Sequence, residues 1–213
     1  MVGQDFVTEY IKNIIRPNEG ILSELEQYAS EHHVPIAAPE TARLLKVLGM
    51  LVKPVRILEV GTAIGYSSII LAGTLAPGGR IDTIERQEEM LAKARENIKK
   101  AGLEHTISII AGEAEEVLSC LDKQYDLIFL DAAKGQYPEF LPDCLRMLKQ
   151  GGLLVSDNVL FKGMVASDEL VVKRKKTIVN RMRTYLEILC SAPALETSIL
   201  PVGDGVALTY KLK

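Results

Sequence analysis

VRILEV (residues 55–60) is followed by a glycine-containing turn and by a stretch with helical periodicity that continues through Ala72. Four more short runs rich in β-branched residues come after it: RIDTIE (80–85), TISIIA (106–111), YDLIFLD (125–131) and GLLVSD (152–157). Helical stretches reaching Lys100 and Leu121 separate the earlier runs. Strands that are apolar almost throughout and alternate with helices are typical of a parallel sheet covered on both faces. The sequence therefore predicts a doubly wound α/β sheet.

Three amphipathic helices are predicted before the first strand. Apolar residues recur at three- and four-residue steps in residues 6–15 and again in residues 21–28. A third helix is expected to begin at Pro39, whose missing N–H is harmless at a helix start, and to end before Pro54.

The last part of the chain is predicted to complete the sheet. A long helix is expected from about Glu169 to Leu189, followed by strands near residues 195–201 and 206–211. The tight turn Gly203-Asp204-Gly205 between these strands fits a closing hairpin with an antiparallel edge. We therefore expect a mostly parallel sheet of seven strands.

Composition limits the class of protein. With 213 residues the chain has room for one or at most two domains, and we interpret residues 1–213 as one domain with residues 1–53 as an N-terminal helical extension. A hydrophobic fraction of 47% with 25% charged residues excludes a disordered or collagen-like chain. The net charge of -3 argues against a protein that coats nucleic acid with its whole surface.

Cysteine usage and hydropathy exclude further classes. The three cysteines lie far apart without a C-x-x-C pair, so neither a zinc site nor a disulfide framework is expected. The N-terminal residues lack the features of a signal peptide, and no apolar run reaches about 18 residues. The sequence predicts a cytoplasmic protein with no membrane partner.

The first strand ends in a loop that suits a nucleoside ligand. Gly61 and Gly65 allow a sharp turn and a close approach of the backbone to a ligand, but their spacing is not G-x-G-x-x-G, so a pyrophosphate is not favoured. Glu85 ends the second strand, 24 positions after Gly61. This spacing is close to the interval of about 20 residues at which an acidic residue after the glycine loop binds ribose hydroxyls. The alternative is a plain strand-to-helix turn. His32 and His33 are interpreted as a helix-end pair satisfied by backbone carbonyls.

Oxygen-bearing side chains follow the fourth and fifth strands. Asp131, Asp157 and Asn158 are hard ligands, and neighbouring strand ends can bring them together around one divalent cation, for which magnesium is the natural candidate. Lys134 lies three residues after Asp131, where burial and a cation would disfavour its charged form and let it act as a base. The alternatives are helix caps and a surface lysine paired with Asp131.

A local cluster of basic residues contrasts with the negative net charge. No acidic residue lies between Val171 and Leu186, and the interval contains Lys173, Arg174, Lys175, Lys176, Arg181 and Arg183. Apolar residues at helical spacing face inward, which leaves much of this set available for phosphates. The alternative is a solvated helix face.

Five motifs resemble those of a known family. ILEVGTAIGYSS, IER, LDAAKGQY, VSDNVLFKG and LPVGDGVAL together resemble the metal-dependent, S-adenosylmethionine-dependent O-methyltransferases related to catechol and caffeoyl-CoA methyltransferases. The resemblance covers nearly the whole chain and implies the Rossmann-like class I methyltransferase fold. Within the family, HHVPI, GTAIGYS, DAAKGQY and DNVLFKG are most similar to the bacterial enzymes that methylate 5-hydroxyuridine in tRNA.

The resemblance implies a role for each matching residue. The cofactor would contact Ala37, Glu59, Gly61, Thr62, Ser67, Glu85, Ala114 and Asp131. Asp131, Asp157 and Asn158 would bind a divalent metal ion, Mg²⁺ or Mn²⁺. Lys134 would be the catalytic base. Glu85 stands where the plant enzymes have aspartate, which preserves the carboxylate. No aromatic gate for a flat phenolic ring is recognisable, which does not favour a phenylpropanoid substrate.

Three functions remain open from the sequence. The first is methylation of 5-hydroxyuridine at the tRNA wobble position, giving 5-methoxyuridine, with Lys173, Arg174, Lys175 and Lys176 contacting the anticodon loop. The second is methylation of small catechol-like compounds, whose two neighbouring oxygens grip a metal as the O5 and O4 oxygens of 5-hydroxyuridine do. The third is a nucleoside- or RNA-binding module without catalysis. Related proteins are commonly dimers, which predicts a homodimer.

Overall fold

The computed structural model describes residues 2–212, and the side chains of residues 6–212. Met1 and Lys213, both included in the predicted domain, lie outside the described residues. The helices are α1 (Val2–Ile14), α2 (Ile21–His32), α3 (Pro39–Val52), α4 (Tyr66–Ala72), α5 (Glu88–Lys100), α6 (Ala114–Cys120), α7 (Tyr137–Met147) and α8 (Lys176–Ser191). The strands are β1 (Arg56–Val60), β2 (Arg80–Glu85), β3 (Ile107–Ala111), β4 (Tyr125–Leu130), β5 (Leu148–Ser156), β6 (Leu195–Leu200) and β7 (Val206–Lys211).

The seven strands form one sheet in the order β3-β2-β1-β4-β5-β7-β6. Strands β1 to β5 are parallel to their neighbours, and β7 is antiparallel to both β5 and β6. The prediction of a doubly wound, mostly parallel, seven-stranded sheet with an antiparallel hairpin is therefore confirmed. Within the hairpin the second strand, β7, lies inside the sheet, and β6 forms the edge.

The core lies on both faces of the sheet, as the apolar strands predict. Leu58 and Val60 point to one face and pack in a cluster with residues of α7 and α8. Ile57 points to the other face, where Phe129 of β4 and helices α2 to α4 form a second cluster. Successive strand residues alternate between the faces, and residues of β1 on both faces are buried. Burial on two sides explains why VRILEV lacks a regular polar alternation.

The helix expected from Glu169 to Leu189 begins later than its prediction. Two short 3₁₀ turns, Asp168–Leu170 and Lys173–Lys175, precede α8, which starts at Lys176. Val171 and Val172 between these turns are extended, since β-branched side chains lose freedom in a helix. Three of the four proposed RNA-contacting residues therefore lie in a turn and not in a helix.

Strand order determines where a ligand can bind. The order reverses between β1 and β4, because the chain passes from β1 outward to β3 and returns to β4 on the other side. In open α/β sheets the crevice at such a reversal, beyond the carboxyl ends of the strands, is the ligand site. Among residues 2–212, the helices are all too short or too polar to span a bilayer.

Candidate functional site

A cavity of about 700 Å³ opens at the carboxyl ends of β1, β2 and β4. This volume is in the range of small-molecule sites. Its walls include most of the residues that the sequence singled out, namely Ala37, Gly61, Thr62, Ser67, Glu85, Ala114, Asp131, Lys134 and Asn158. Two others, Glu59 and Asp157, are 0% and 2% exposed and do not line the cavity.

Gly61 makes the turn after β1 possible. Its φ of +107° is in the region that favours glycine, and a Cβ atom added there would lie 2.1 Å from the carbonyl oxygen of Asp131. The amides of Gly61 and Thr62 both donate to the carbonyl of Ile84, at 3.0 and 3.1 Å. The glycine thus brings the ends of β1, β2 and β4 into direct contact. No other residue fits this position without moving Asp131.

Glu59 supports this turn from inside the protein. Its Oε2 accepts hydrogen bonds from the hydroxyls of Ser68 and, at 2.5 Å, Thr83, which is also 2.6 Å from the hydroxyl of Thr62. Its Oε1 has no hydrogen-bond partner among the described residues. Burial raises the pKa of Glu59 to about 7, although hydrogen bonds from Ser67, Ser68 and Thr83 favour the ionised form. Oε1 is therefore a buried acceptor without a partner among the described side chains.

The carboxylate of Glu85 is held rigidly at the end of β2. One oxygen accepts from the amide of Ala63 at 2.9 Å, and the other accepts from the amides of Arg86 and Gln87 at 2.8 and 2.9 Å. These donors occupy three of the roughly four acceptor positions of a carboxylate. The group is therefore oriented before any ligand binds, and it retains capacity for a ligand hydroxyl.

Asp131 and Lys134 form an ion pair in the cavity wall. The amide of Asp131 continues the sheet by donating to the carbonyl of Val60 at 2.9 Å, and its Oδ1 lies 2.6 Å from Lys134 Nζ. Only about a fifth of either side chain is exposed, 20% for Asp131 and 22% for Lys134. The pairing with Asp131 is the one expected of an ordinary surface lysine. Lys134, however, faces the cavity and not the open surface.

Asp157 and Asn158 lie directly after β5. The amide of Asp157 donates to the carbonyl of Leu130, and its Oδ1 accepts from the amide of Asn158 at 2.7 Å. Burial, followed by the negative charge of Asp131, raises the pKa of Asp157 well above its usual range. Asn158 has a φ of +56°, a conformation that asparagine adopts more readily than most residues. The two strand ends thus bring two carboxylates close enough to repel each other.

Tyr137 holds these two strand ends together. Its buried hydroxyl lies 2.9 Å from the carbonyl oxygen of Leu130 and 3.1 Å from that of Asp157, and its ring packs edge-on against Tyr185. It was not predicted from the sequence. An aromatic residue with a polar end, directly after the turn that carries Lys134, is the signal that could have identified it.

The C-terminal end of α2 forms another wall that the sequence did not predict. Tyr28, His32 and His33 line the cavity, and the rings of Tyr28 and His32 stack with their centroids 4.0 Å apart. His32 Nδ1 lies 3.0 Å from the carbonyl oxygen of Tyr28, so the expected pairing with a backbone carbonyl is confirmed for this histidine. Lys93 Nζ lies 4.6 Å from the Tyr28 ring centroid and connects α2 to α5.

The basic cluster lies beside the loop that follows Asn158. Lys173, Arg174 and Lys176 are exposed, and Lys175 Nζ lies 5.7 Å from the ring centroid of Phe161. Helix α8 packs against the 3₁₀ turn Lys134–Gln136, which carries the cavity lysine. The cluster therefore adjoins the loop that follows Asn158.

Two arginines expected in the outward basic set make internal contacts. Arg181 pairs with Glu139 at 2.8 Å and donates to the carbonyl of Gly135 at 2.8 Å. Arg183 pairs with Asp168 at 2.7 Å. These bonds connect α8 to the segments around the site, so both arginines are engaged in contacts within the protein.

Comparison with known proteins identifies a family. The O-methyltransferase family model matches residues 14–212. A catechol O-methyltransferase of Niastella koreensis is 32% identical over 95% of both chains, and a caffeoyl-CoA O-methyltransferase of Populus kitakamiensis is 31% identical over 88% of this chain and 82% of that protein.

The solved structures agree. The O-methyltransferase TomG of Streptomyces achromogenes, in complex with S-adenosylmethionine, superposes with a TM-score of 0.85 at 29% identity, covering 97% of this chain and 96% of that one. The cavity described above lies where a ligand is expected in such a sheet. The chain therefore belongs to the O-methyltransferase family that includes the catechol and caffeoyl-CoA enzymes, and it is an S-adenosylmethionine-dependent methyltransferase.

Proposed function

We propose that the protein transfers a methyl group from S-adenosylmethionine to one of two neighbouring oxygens on a small catechol-like acceptor. The observation that carries this proposal is one cavity whose walls combine the rigid carboxylate of Glu85 with the Asp131–Lys134 pair. The names of the relatives, a catechol and a caffeoyl-CoA O-methyltransferase, favour this acceptor class.

The residues after β4 and β5 fit a divalent cation. Asp157 is a nearly fully buried carboxylate whose negative charge lies near that of Asp131, and such a pair gains from a compensating cation. Asn158 would add an amide oxygen, which suits Mg²⁺ or Mn²⁺. Within residues 2–212, no three His, Cys, Asp or Glu side chains are grouped as a metal site, so the proposed set depends on this asparagine. A bound dication would lower the pKa of an acceptor hydroxyl and stabilise its oxyanion.

The chain's own residues supply binding, orientation and proton transfer. Glu85 would hold the ribose, Ala114 would lie beside the adenine, and the turn at Gly61, Thr62 and Ser67 would hold the methionine part. Glu59, through its open oxygen, and Ala37, through its backbone, would complete the cofactor contacts. Holding two reactants in line can supply about 7–11 kcal/mol.

Lys134 would accept the acceptor's hydroxyl proton at Nζ. The oxygen would then receive the methyl group of bound S-adenosylmethionine, an O–CH₃ bond replacing the S⁺–CH₃ bond, with S-adenosylhomocysteine as the second product. Nζ must present a lone pair for this step. A cation bound by Asp131 would compete with Lys134 for that carboxylate.

An acceptor panel tests the proposed chemistry. We expect the protein, supplied with S-adenosylmethionine and Mg²⁺, to methylate a 1,2-dihydroxyphenyl acceptor once and to leave the matched monohydroxyphenyl compound almost unmodified. Mass spectrometry of the products measures both reactions. Equal rates on the two acceptors would contradict the requirement for neighbouring oxygens.

Methylation of 5-hydroxyuridine in tRNA is the second candidate. It is favoured by the exposed cations at residues 173–176, which lie beside the loop after Asn158. A wobble base is already single-stranded and can be splayed into a cavity at modest cost.

Neutralising this cluster separates the two candidates. Changing Lys173, Arg174, Lys175 and Lys176 together to glutamine should leave activity on a small dihydroxyphenyl acceptor unchanged. If tRNA is the substrate, the variant should bind it more weakly, with a smaller salt dependence, because phosphate contacts release counterions. The double variant Arg95→Gln, Lys99→Gln, on the exposed side of α5, is the matched control. Undiminished tRNA methylation by the cluster variant would exclude a role for these cations.

Substitution of Glu85 tests the cofactor site. Glu85→Ala should weaken S-adenosylmethionine binding at least about tenfold, since hydrogen bonds to charged groups contribute about 1.5–3 kcal/mol. Titration calorimetry measures the dissociation constant, and Glu104→Ala, at an exposed carboxylate outside the cavity wall, is the control. Unchanged affinity in Glu85→Ala would remove this residue from the cofactor site.

Homodimer formation stays a prediction. Helix α1 exposes Phe6, Tyr10 and Ile14, at 68%, 65% and 63%, and Leu51 of α3 is 74% exposed. Apolar surface of this kind is typical of an interface. Light scattering in solution measures the mass of the particle.

A further inference from the structure

We propose that Asp204, at the tip of the β6–β7 hairpin, is a positioning residue for the loop that carries Asn158. The inference rests on the proposed function, because Asn158 is one of the suggested metal ligands. The loop in question comprises residues 158–165, directly after β5. In the sequence the hairpin tip, residues 202–205, is recognisable only as a tight turn. It takes no direct part in the proposed methyl transfer.

Three consecutive contacts join the tip to the loop. The amide of Val159 donates to the carbonyl of Gly205 at 2.9 Å, and the amide of Leu160 donates to the carbonyl of Asp204 at 3.0 Å. The carboxylate of Asp204 then accepts a hydrogen bond from the amide of Lys162. Two of these contacts come from the backbone and the third from a side chain, so only the third depends on the identity of residue 204.

The loop needs such support because its backbone is strained. Asn158, Phe161 and Lys162 have φ values of +56°, +44° and +57°, in the left-handed region. A non-glycine residue in this region persists only when its surroundings hold it there. Without the bond from Asp204, the amide of Lys162 loses a restraint next to two such residues.

The hairpin tip is packed closely against its neighbours on two sides. A Cβ atom on Gly205 would lie 2.4 Å from Cγ of Leu160, and one on Gly203 would lie 2.7 Å from the hydroxyl oxygen of Thr41 in α3. The tip is therefore packed between α3 on one side and the loop on the other. A small displacement of Asp204 must move the loop.

Asp204 supports a proposed metal ligand from outside, through the loop that carries Asn158. Outer groups of this kind typically change metal affinity 10–100-fold when they are removed.

The test compares four proteins: the parent chain, Asp204→Ala, Asp204→Asn and Glu196→Ala. Asparagine keeps an oxygen that can accept from the Lys162 amide, so it should rescue the alanine variant. Glu196 is an exposed carboxylate on β6 of the same hairpin and serves as the matched control. Two quantities are measured: Mn²⁺ affinity of the metal-stripped protein, by electron paramagnetic resonance of free Mn²⁺, and amide hydrogen exchange of residues 158–165.

Asp204→Ala should weaken Mn²⁺ binding about tenfold or more and accelerate exchange in the loop, with exchange in β5 unchanged. Asp204→Asn and Glu196→Ala should bind Mn²⁺ as the parent does. A further variant, Gly205→Ala, keeps the Asp204 carboxylate and places a methyl group against Leu160, which should displace the loop. It should also weaken Mn²⁺ binding, so the inference can be tested even if Asp204→Ala does not fold.

Different failures have different meanings. Equal Mn²⁺ binding by the parent and Asp204→Ala overturns the inference and leaves the proposed function intact. An Asp204→Asn variant that binds Mn²⁺ as weakly as Asp204→Ala overturns the inference as well. The charge of residue 204, and not its hydrogen bond to Lys162, would then determine Mn²⁺ affinity. A parent chain that binds no Mn²⁺ overturns the proposed metal centre, and this inference with it.

Discussion

Lys134→Ala is expected to lower kcat for methyl transfer by about 10²–10⁴-fold, the usual contribution of a general base. The variant removes the Nζ that lies 2.6 Å from Asp131 in the cavity wall. Cofactor binding should survive, because no hydrogen bond joins Lys134 to Glu85 or to the turn after β1 among the described residues. Release of S-adenosylhomocysteine measures turnover, and calorimetry measures S-adenosylmethionine affinity.

Two further variants separate base catalysis from loss of an ion pair. Lys134→Arg keeps a positive charge beside Asp131 but cannot be deprotonated, so it should be almost as inactive as the alanine variant. Lys149→Ala removes a lysine that pairs with Asp126 at the same distance, 2.6 Å, elsewhere on the protein, and it should leave kcat unchanged. Full turnover in Lys134→Arg would show that charge at this position is sufficient and would refute proton transfer by Lys134.

Asp157→Asn is expected to abolish methyl transfer by removing metal binding without unfolding the protein. Asparagine can still accept the hydrogen bond from the Asn158 amide, but it lacks the charge that attracts a cation. We expect Mn²⁺ affinity to fall at least about 100-fold, more than for an outer group.

The stability of this variant distinguishes a ligand from a structural residue. Asp157 is buried near Asp131, and a buried carboxylate with a raised pKa destabilises the folded state when it is ionised. The melting temperature of metal-free Asp157→Asn should therefore equal or exceed that of the metal-free parent. Asp168→Asn, at a carboxylate that is 85% exposed, is the control for activity. A large drop in melting temperature with metal affinity retained would assign Asp157 a structural role.

The sheet was predictable because its signal is local. Each strand from β1 to β5 is a short run with apolar residues on both faces, and the hairpin is marked by Gly203 and Gly205. The start of α8 was not, since Val171 and Val172 adopt an extended backbone between two 3₁₀ turns within a stretch predicted to be helical. The position of β7 between β5 and β6 was not predictable either, because it depends on strand pairing that no single segment encodes.

The candidate site was predictable as far as it follows strand ends. Glu85, Asp131, Lys134 and Asn158 all follow parallel strands, and the topology directs them to one cavity. The supporting residues could not be found in this way. Tyr137 connects two carbonyl groups of different strands through its hydroxyl, and this contact exists only once the sheet has formed. Proximity in sequence carries no information about such bridges.

Controlled removal and return of the metal tests the central claim, which is that the residues after β4 and β5 bind one dication beside Lys134. The rate of methyl transfer to a 1,2-dihydroxyphenyl acceptor is measured before chelation, after chelation and dialysis, and after addition of Mg²⁺ or Mn²⁺. We expect the rate to fall at least about 100-fold on chelation and to recover with either ion, since a bound metal contributes several kcal/mol to transition-state stabilisation. An unchanged rate in protein shown by elemental analysis to be metal-free would contradict the claim.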